Sequence, residues 1–374
     1  MKRLTVALAA IGLTASCGAF AAYPAATNPT EVSVPQLQGG FTIGGSLFYM
    51  TPSSTDGDLN YQVLTTFNPV SGNQLFNTSS TIESIDPNYS FGYGINVGYI
   101  FPGTGNDVNL SYFYFNGTGD DSEIPGANQL DLTGLAVAAA VAGVGLVPII
   151  DFNVNDFTSS TSSTMADIIN QVDLTFGQFI NVGCRLSLHP FAGARFADIQ
   201  RDFNTTTTLS ADGDFRIGES KAVNFTENAQ LSTQESSDFT GIGPLVGMDA
   251  TYYIWNGIGV AGHFDTALLV GNIQDTLDTQ TTAITTLSQG TAIQSFTDTA
   301  VVNVQTNNNT IVVPVIDAKL GLNWTYLFNN AHNSDMTLEV GYQVSNYFNA
   351  VEGIDGSSSD LGLNGFYANV TFRI

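Results

Sequence analysis

Tyr89-Ser90-Phe91-Gly92-Tyr93-Gly94-Ile95-Asn96-Val97-Gly98-Tyr99-Ile100-Phe101 decides the fold. Its odd positions all carry large apolar or aromatic side chains. Its even positions carry Ser, Gly or Asn, with Ile100 the exception. Successive side chains of a strand point to opposite faces, so this segment has one greasy face and one small, polar face. A helix, with its period of 3.6 residues, would mix the two sets. Val312–Phe328 repeats the pattern, with Val312, Pro314, Ile316, Ala318, Leu320, Leu322, Trp324, Tyr326 and Phe328 on one side. Asp317, Lys319, Gly321, Asn323 and Thr325 lie opposite. In Met336–Phe348, Leu338, Val340, Tyr342 and Val344 oppose Thr337, Glu339, Gly341, Gln343 and Ser345. Ile258–Asn272 follows, with His263 and Asp265 on its polar face.

Such strands run to about ten residues, the length of a transmembrane β-strand. Slipping the register by one residue would put Asp317 and Lys319 into lipid, at about 2–4 kcal/mol for a cation at the midplane, so the pattern fixes which face is which. Phe41–Met50, Val108–Phe115, Met165–Phe176 and Phe239–Tyr252 fit the alternation less cleanly. In Arg185–Phe203, Pro190 and Asp198 interrupt the outer face. With Gly362–Ile374 as the last, the count is ten.

Composition agrees. Of 374 residues, 43% are hydrophobic and only 11% charged, less than half the usual share of about 25% in soluble domains. The aromatic and apolar content excludes a disordered chain. With 9 Lys and Arg against 33 Asp and Glu, a nucleic-acid-binding face is excluded too. After residue 22 the longest apolar run is Leu135–Ile150, too short for a spanning helix.

Lys2 and Arg3, the apolar Leu4–Ala15 and Ala19-Phe20-Ala21 form a secretory signal peptide cleaved after Ala21. The rival reading makes Thr14-Ala15-Ser16-Cys17 a lipoprotein box. Cleavage removes both leader cations and no acid, and leaves Cys184 as a lone cysteine without a disulfide partner. The expected organisation is a leader at 1–21, a periplasmic segment at 22–40 and one barrel domain at 41–374.

The connections alternate strictly. Pro102–Asn106, Gly177–Gly183, Trp255–Gly257 and Asn329–Asp335 are short. The stretches 51–88, 116–164, 204–238, 273–311 and 349–361 are long, polar and rich in Thr, Ser and Asn. Short periplasmic turns and long external loops are the habit of outer-membrane barrels. The expected fold is therefore all-β: a transmembrane, antiparallel, up-and-down barrel of about ten strands, within a range of 8–14.

The chain resembles the Legionella major outer membrane protein family over its whole mature length. The resemblance rests on Gly39-Gly40-Phe41, Gly103-Thr104-Gly105-Asn106-Asp107, Val182-Gly183-Cys184-Arg185 and Phe191-Ala192-Gly193-Ala194-Arg195-Phe196-Ala197-Asp198-Ile199. Gly241-Ile242-Gly243-Pro244, Ala267-Leu268-Leu269-Val270-Gly271 and Asp317-Ala318-Lys319-Leu320-Gly321 add to it. It implies an outer-membrane, pore-forming barrel and carries no catalytic signature. The terminal Ile374 departs from the usual terminal Phe, a point that bears on recognition by the barrel-assembly machinery.

Charged residues on the polar face are the expected pore lining: Asp167, Asp173, Arg185, Arg195, Asp249, His263, Asp265, Asp317, Lys319 and Glu339. Acids outnumber cations among them, so a narrow, cation-leaning diffusion pore is the expected function. The alternative is a structural or adhesive barrel with a plugged lumen that acts through its external loops. Ten strands lie near the filled end of the barrel range. His263 and Asp265 sit two apart on one strand, as a base and its orienting carboxylate would, yet no serine nucleophile motif accompanies them, and no enzyme activity is expected. His189 and His332 fall in or near turns. No cofactor is expected. Asp56-Gly57-Asp58 and Asp212-Gly213-Asp214 read as turns in solvated loops rather than as sites for loosely bound calcium. Expected partners are outer-membrane lipid, lipopolysaccharide and small ions or solutes; homo-oligomerisation stays open. The apolar stretch Gly134–Ile150 has three readings, an inward plug or constriction, burial within the loop cluster or contact with a partner subunit, of which burial in the loop cluster is favoured.

Overall fold

The computed structural model describes residues 32–54, 60–68, 77–123, 149–217, 222–255, 257–306, 308–328, 334–353 and 357–374. The leader and most of the apolar stretch at 134–150 lie outside them. The strands are β1 (Val32–Ser33), β2 (Gly40–Ser54), β3 (Asn60–Asn68), β4 (Asn77–Ser84), β5 (Ser90–Ile100), β6 (Asn106–Glu123) and β7 (Ile149–Gln178). They continue as β8 (Ile180–Val182), β9 (Leu186–Ile217), β10 (Val223–Trp255), β11 (Ile258–Gln289), β12 (Ala292–Gln305), β13 (Asn309–Leu327), β14 (Asp335–Glu352) and β15 (Ser358–Arg373).

Ten of them close a ring: β2, β5, β6, β7, β9, β10, β11, β13, β14, β15 and back to β2, each antiparallel to its neighbours. Within the ring each of the ten strands is paired on both sides, which is what hydrocarbon demands. The ten-strand reading therefore holds, and so does its register. Phe91 is 73% exposed and Leu320 65%, whereas Asp317, next to the latter's face, is 5% exposed and points inward. Aromatic residues gather at both rims of the greasy wall. At the short-turn end Phe41 packs on Tyr99 and Trp324 on Tyr326, at ring separations of 5.0 and 5.9 Å. At the other end Tyr49 stacks on Tyr89 and Tyr342 meets Phe366 edge-on, at 5.1 and 5.3 Å. Beyond this rim the outward face turns polar: Thr240 donates to Asp198 and Thr310 to Asn272, at 2.8 and 3.0 Å.

The long connections differ from the expected loops. β7, β9, β10 and β11 run for 30 to 33 residues, about three times what crosses a bilayer, and β12 extends them as an extra hairpin. Residues 204–217, 223–238 and 273–289 are thus strand, not loop. The reason is Thr: β-branched side chains favour the pleat, and their hydroxyls pair across it. Ser160 with Thr208, Thr161 with Thr207 and Ser163 with Thr205 make a ladder at 2.6, 3.1 and 2.8 Å. A sheet held this way needs neither lipid nor a core. Asp212, Gly213 and Asp214 lie in β9 opposite Thr226, Phe225 and Asn224, which corrects their reading as a turn. Asp56 to Asp58 fall outside the described residues. Cys184 lies in the turn between β8 and β9.

Acids collect at the foot of this extension. Burial, then the charges of Asp202, Asp198 and Asp275, raises the Asp238 carboxyl above its ordinary range. The folded state thus holds that proton more tightly than the unfolded chain, so stability rises as pH falls toward the raised value and is lost above it. Asp238→Asn should raise the melting temperature at pH 7.5, and the gain should shrink toward pH 5. A gain that grows on acidification would contradict this assignment.

Candidate functional site: the barrel lumen

The inner face is built in storeys. Nearest the short-turn end, His189 on β9 sits between Asp107 of β6 and Asp249 of β10, at 2.8 Å to Nε2 and 3.0 Å to Nδ1. Phe179 stacks on its ring at 4.1 Å. His263 on β11 comes next, with Asp249 against Nδ1 and Asp265 at 2.8 Å from Nε2. Phe191 stacks on it at 5.7 Å. Each imidazole therefore has a carboxylate at both nitrogens.

Above them lies Arg195, 1% exposed. Its Nε and Nη2 donate to both oxygens of Asp173, at 2.8 and 2.9 Å, and Nη1 donates to Asp317 at 2.5 Å. Asp265 Oδ1 lies 3.1 Å from Nη2, an ion-pair distance without hydrogen-bond alignment. The acids come from β7, β13 and β11, so one guanidinium ties three other strands to β9. Gly243 stands opposite Arg195 on β10, where the Leu268 carbonyl leaves no space for a Cβ. Gln171 extends the network from Asp173 to the Tyr347 hydroxyl, at 2.9 and 2.6 Å.

The next storey is apolar. Phe115, Ile169, Phe239, Leu269, Val313 and Leu361 are fully buried inside the ring, with Met50 and Ile199 among them. Beyond this layer Arg201 donates to Asp167 through Nε and Nη2, at 2.7 and 3.1 Å, and through Nη1 to Ser54 at 3.2 Å. The apolar layer thus lies between the Arg195 and Arg201 networks. Below it lies a cavity of about 450 Å³, facing the short-turn end. Lys319 reaches into it between the rings of Phe48 and Tyr367, at 5.5 and 5.7 Å from their centroids. The Tyr367 hydroxyl donates to Glu339 at 2.5 Å.

Eight of the expected lining residues thus border one cavity: Asp173, Arg195, Asp249, His263, Asp265, Asp317, Lys319 and Glu339. Two are corrected. Asp167 faces inward but is sealed against Arg201 above the apolar layer. Arg185 lies in the turn before β9 and does not border the cavity, because β9 begins only at Leu186. Asp107, His189 and Arg201 were missed. His189 shares odd parity with Arg195 on the strand expected at Arg185–Phe203, but it lies close to the turn before it and has no patterned partner in sequence. His332 falls outside the described residues.

The family described as Legionella pneumophila major outer membrane protein precursor has a sequence model that matches residues 33–374. The chain belongs to that family. No curated protein matches it in sequence. Among solved structures it is similar to the outer membrane protease OmpT of Escherichia coli, at 8% identity and a TM-score of 0.33, over 90% of this chain and 97% of that one. OccK9 (OpdG) of Pseudomonas aeruginosa is similar at 7% identity and a TM-score of 0.12, over 90% and 98% of the two chains. The family places this barrel in the outer membrane.

Removing Arg195 would leave Asp173, Asp265 and Asp317 facing one another, with Asp265 still held by His263. Arg195→Ala should cost about 3–5 kcal/mol, the scale of a broken buried ion pair. Urea unfolding of the refolded barrel would read this, and a change under 1 kcal/mol would show that the network does not hold the wall.

Proposed function

We propose that this chain is a closed outer-membrane barrel whose work is done by the sheet it raises beyond the membrane. The observation that carries the reading is the apolar layer resting on the Arg195 network. An ion crossing it would have to shed its water among Phe115, Phe239 and Leu269, none of which offers an oxygen. A cation-leaning diffusion pore would need a path through this layer, although the acidic excess on which it rested is present in the cavity below. The plugged, structural or adhesive barrel takes its place.

The same reading orients the molecule. The short-turn end with its cavity faces the periplasm, and the 30-residue strands rise outside, where the polar rim beyond Tyr342 and Phe366 meets lipopolysaccharide. Export by a leader cleaved after Ala21 belongs to this proposal. Catalysis does not: both nitrogens of His263 are held by carboxylates, so neither is free to take a proton from a substrate.

Planar bilayers test it. Correctly refolded full-length protein should pass no steady current, and replacing Phe115, Phe239 and Arg195 together by Ala should open an ohmic conductance. A stable unitary conductance from the unaltered protein would return the pore reading to first place.

A further inference from the structure

β12 is an open edge. Among the described residues it pairs with β11 alone, and all 14 of its residues are exposed on both faces of the sheet. At about 3.4 Å per residue it presents roughly 47 Å of free backbone donors and acceptors. Proteins usually blunt such an edge with Lys, Pro or a bulge. None is present here: the strand reads Ala-Ile-Gln-Ser-Phe-Thr-Asp-Thr-Ala-Val-Val-Asn-Val-Gln, and Asp298 is its one charge in a chain with 33 acids. Ile293 is 73% exposed, Val301 62% and Val302 53%.

The geometry points to a second copy of the same strand as the occupant, joined antiparallel about a two-fold axis and therefore reaching from an opposing membrane. This rests on the edge of β12 alone and holds whether the lumen is open or closed. The register follows from symmetry. A two-fold axis normal to the sheet keeps every side chain on its own face, so the axis must pass through a residue. An axis at Asp298 sets two carboxylates face to face, which is unfavourable. An axis at Thr299 removes that clash, because Asp298 then faces the second copy's Ala300. It also sets Phe296 against the second copy's Val302, an aromatic–β-branched pair that occurs twice, and Thr299 against itself. About a dozen new backbone hydrogen bonds follow, at two per bonded pair.

The membrane fixes the direction. β12 runs from the hairpin tip at Gly290 back toward the barrel, ending at Gln305 opposite Thr276. Two copies in one membrane would present it pointing the same way and could pair only in parallel, the weaker mode. Antiparallel pairing requires the two barrels to stand in facing membranes. The inferred activity is homotypic adhesion between cells or vesicles.

Liposomes carrying full-length protein, labelled in two colours and mixed, should cluster, as read by energy transfer between vesicles. Thr299→Lys vesicles should not cluster, nor should Thr299→Glu vesicles, since each puts like charges on the axis. Mixing the two should restore clustering to near the unaltered level. That restoration excludes misfolding as the cause of either loss. Unaltered vesicles that stay dispersed, clustering that survives Thr299→Lys alone, or mixed variants that stay apart would each overturn the inference. Retention of a trapped dye in the same vesicles tests barrel closure separately, so leakage and failure to cluster indict different readings.

Discussion

The Arg195 guanidinium, held by carboxylates from three other strands, is the contact on which the barrel's interior depends. A ring of ten strands is too narrow to be an aqueous channel by default and too wide to be closed by backbone alone. Its centre must be filled by side chains or wetted. A buried cation is tolerable only when its donors are met, and five N–H groups in a planar fork are met best by oxygens arriving from different directions. That is why the acids sit on separate strands. The same arrangement gives the apolar layer a polar floor. Without it, the residues around Phe239 would rest on solvated carboxylates instead of on a neutralised plane.

The alternation that reveals this fold is a record of two solvents, and it is clearest where they differ most. In Tyr89–Phe101 the outer face meets lipid and the inner face meets the polar cavity, so the period stands out. Phe41–Met50, Val108–Phe115, Met165–Phe176 and Phe239–Tyr252 were blurred for a physical reason. Their inward residues Phe48, Met50, Phe115, Ile169 and Phe239 build the apolar plug, so both faces are greasy there. Imperfect alternation in these segments was itself the sign of an apolar layer inside the ring, which the sequence alone does not reveal because an inward Phe and an outward Phe look alike in one dimension.

The lining was legible as charges on the inner face, and eight of those residues do share one cavity. Their pairing was not legible, because it joins residues as distant in sequence as Arg195 and Asp317. Parity says which way a side chain points; it says nothing about height along the axis. Asp167 and Asp173 share a face of β7, yet the apolar layer separates them. The strand extensions were illegible for another reason. Thr- and Ser-rich polar sequence reads as loop when a core is assumed to be the only support for a sheet, whereas β7 and β9 are joined by hydroxyl pairs that need no core.

Closure and extension pull against each other. A barrel satisfies its hydrogen bonds by having no edges. Once β7, β9, β10 and β11 continue far beyond the rim while β2, β5 and β13 end near it, the wall opens and edges must reappear. One of them is β12, which among the described residues pairs with β11 alone. The feature that lets this protein project a long sheet beyond the barrel rim is therefore the same one that leaves β12 at an edge among the described residues. A barrel that kept its rim level would have neither.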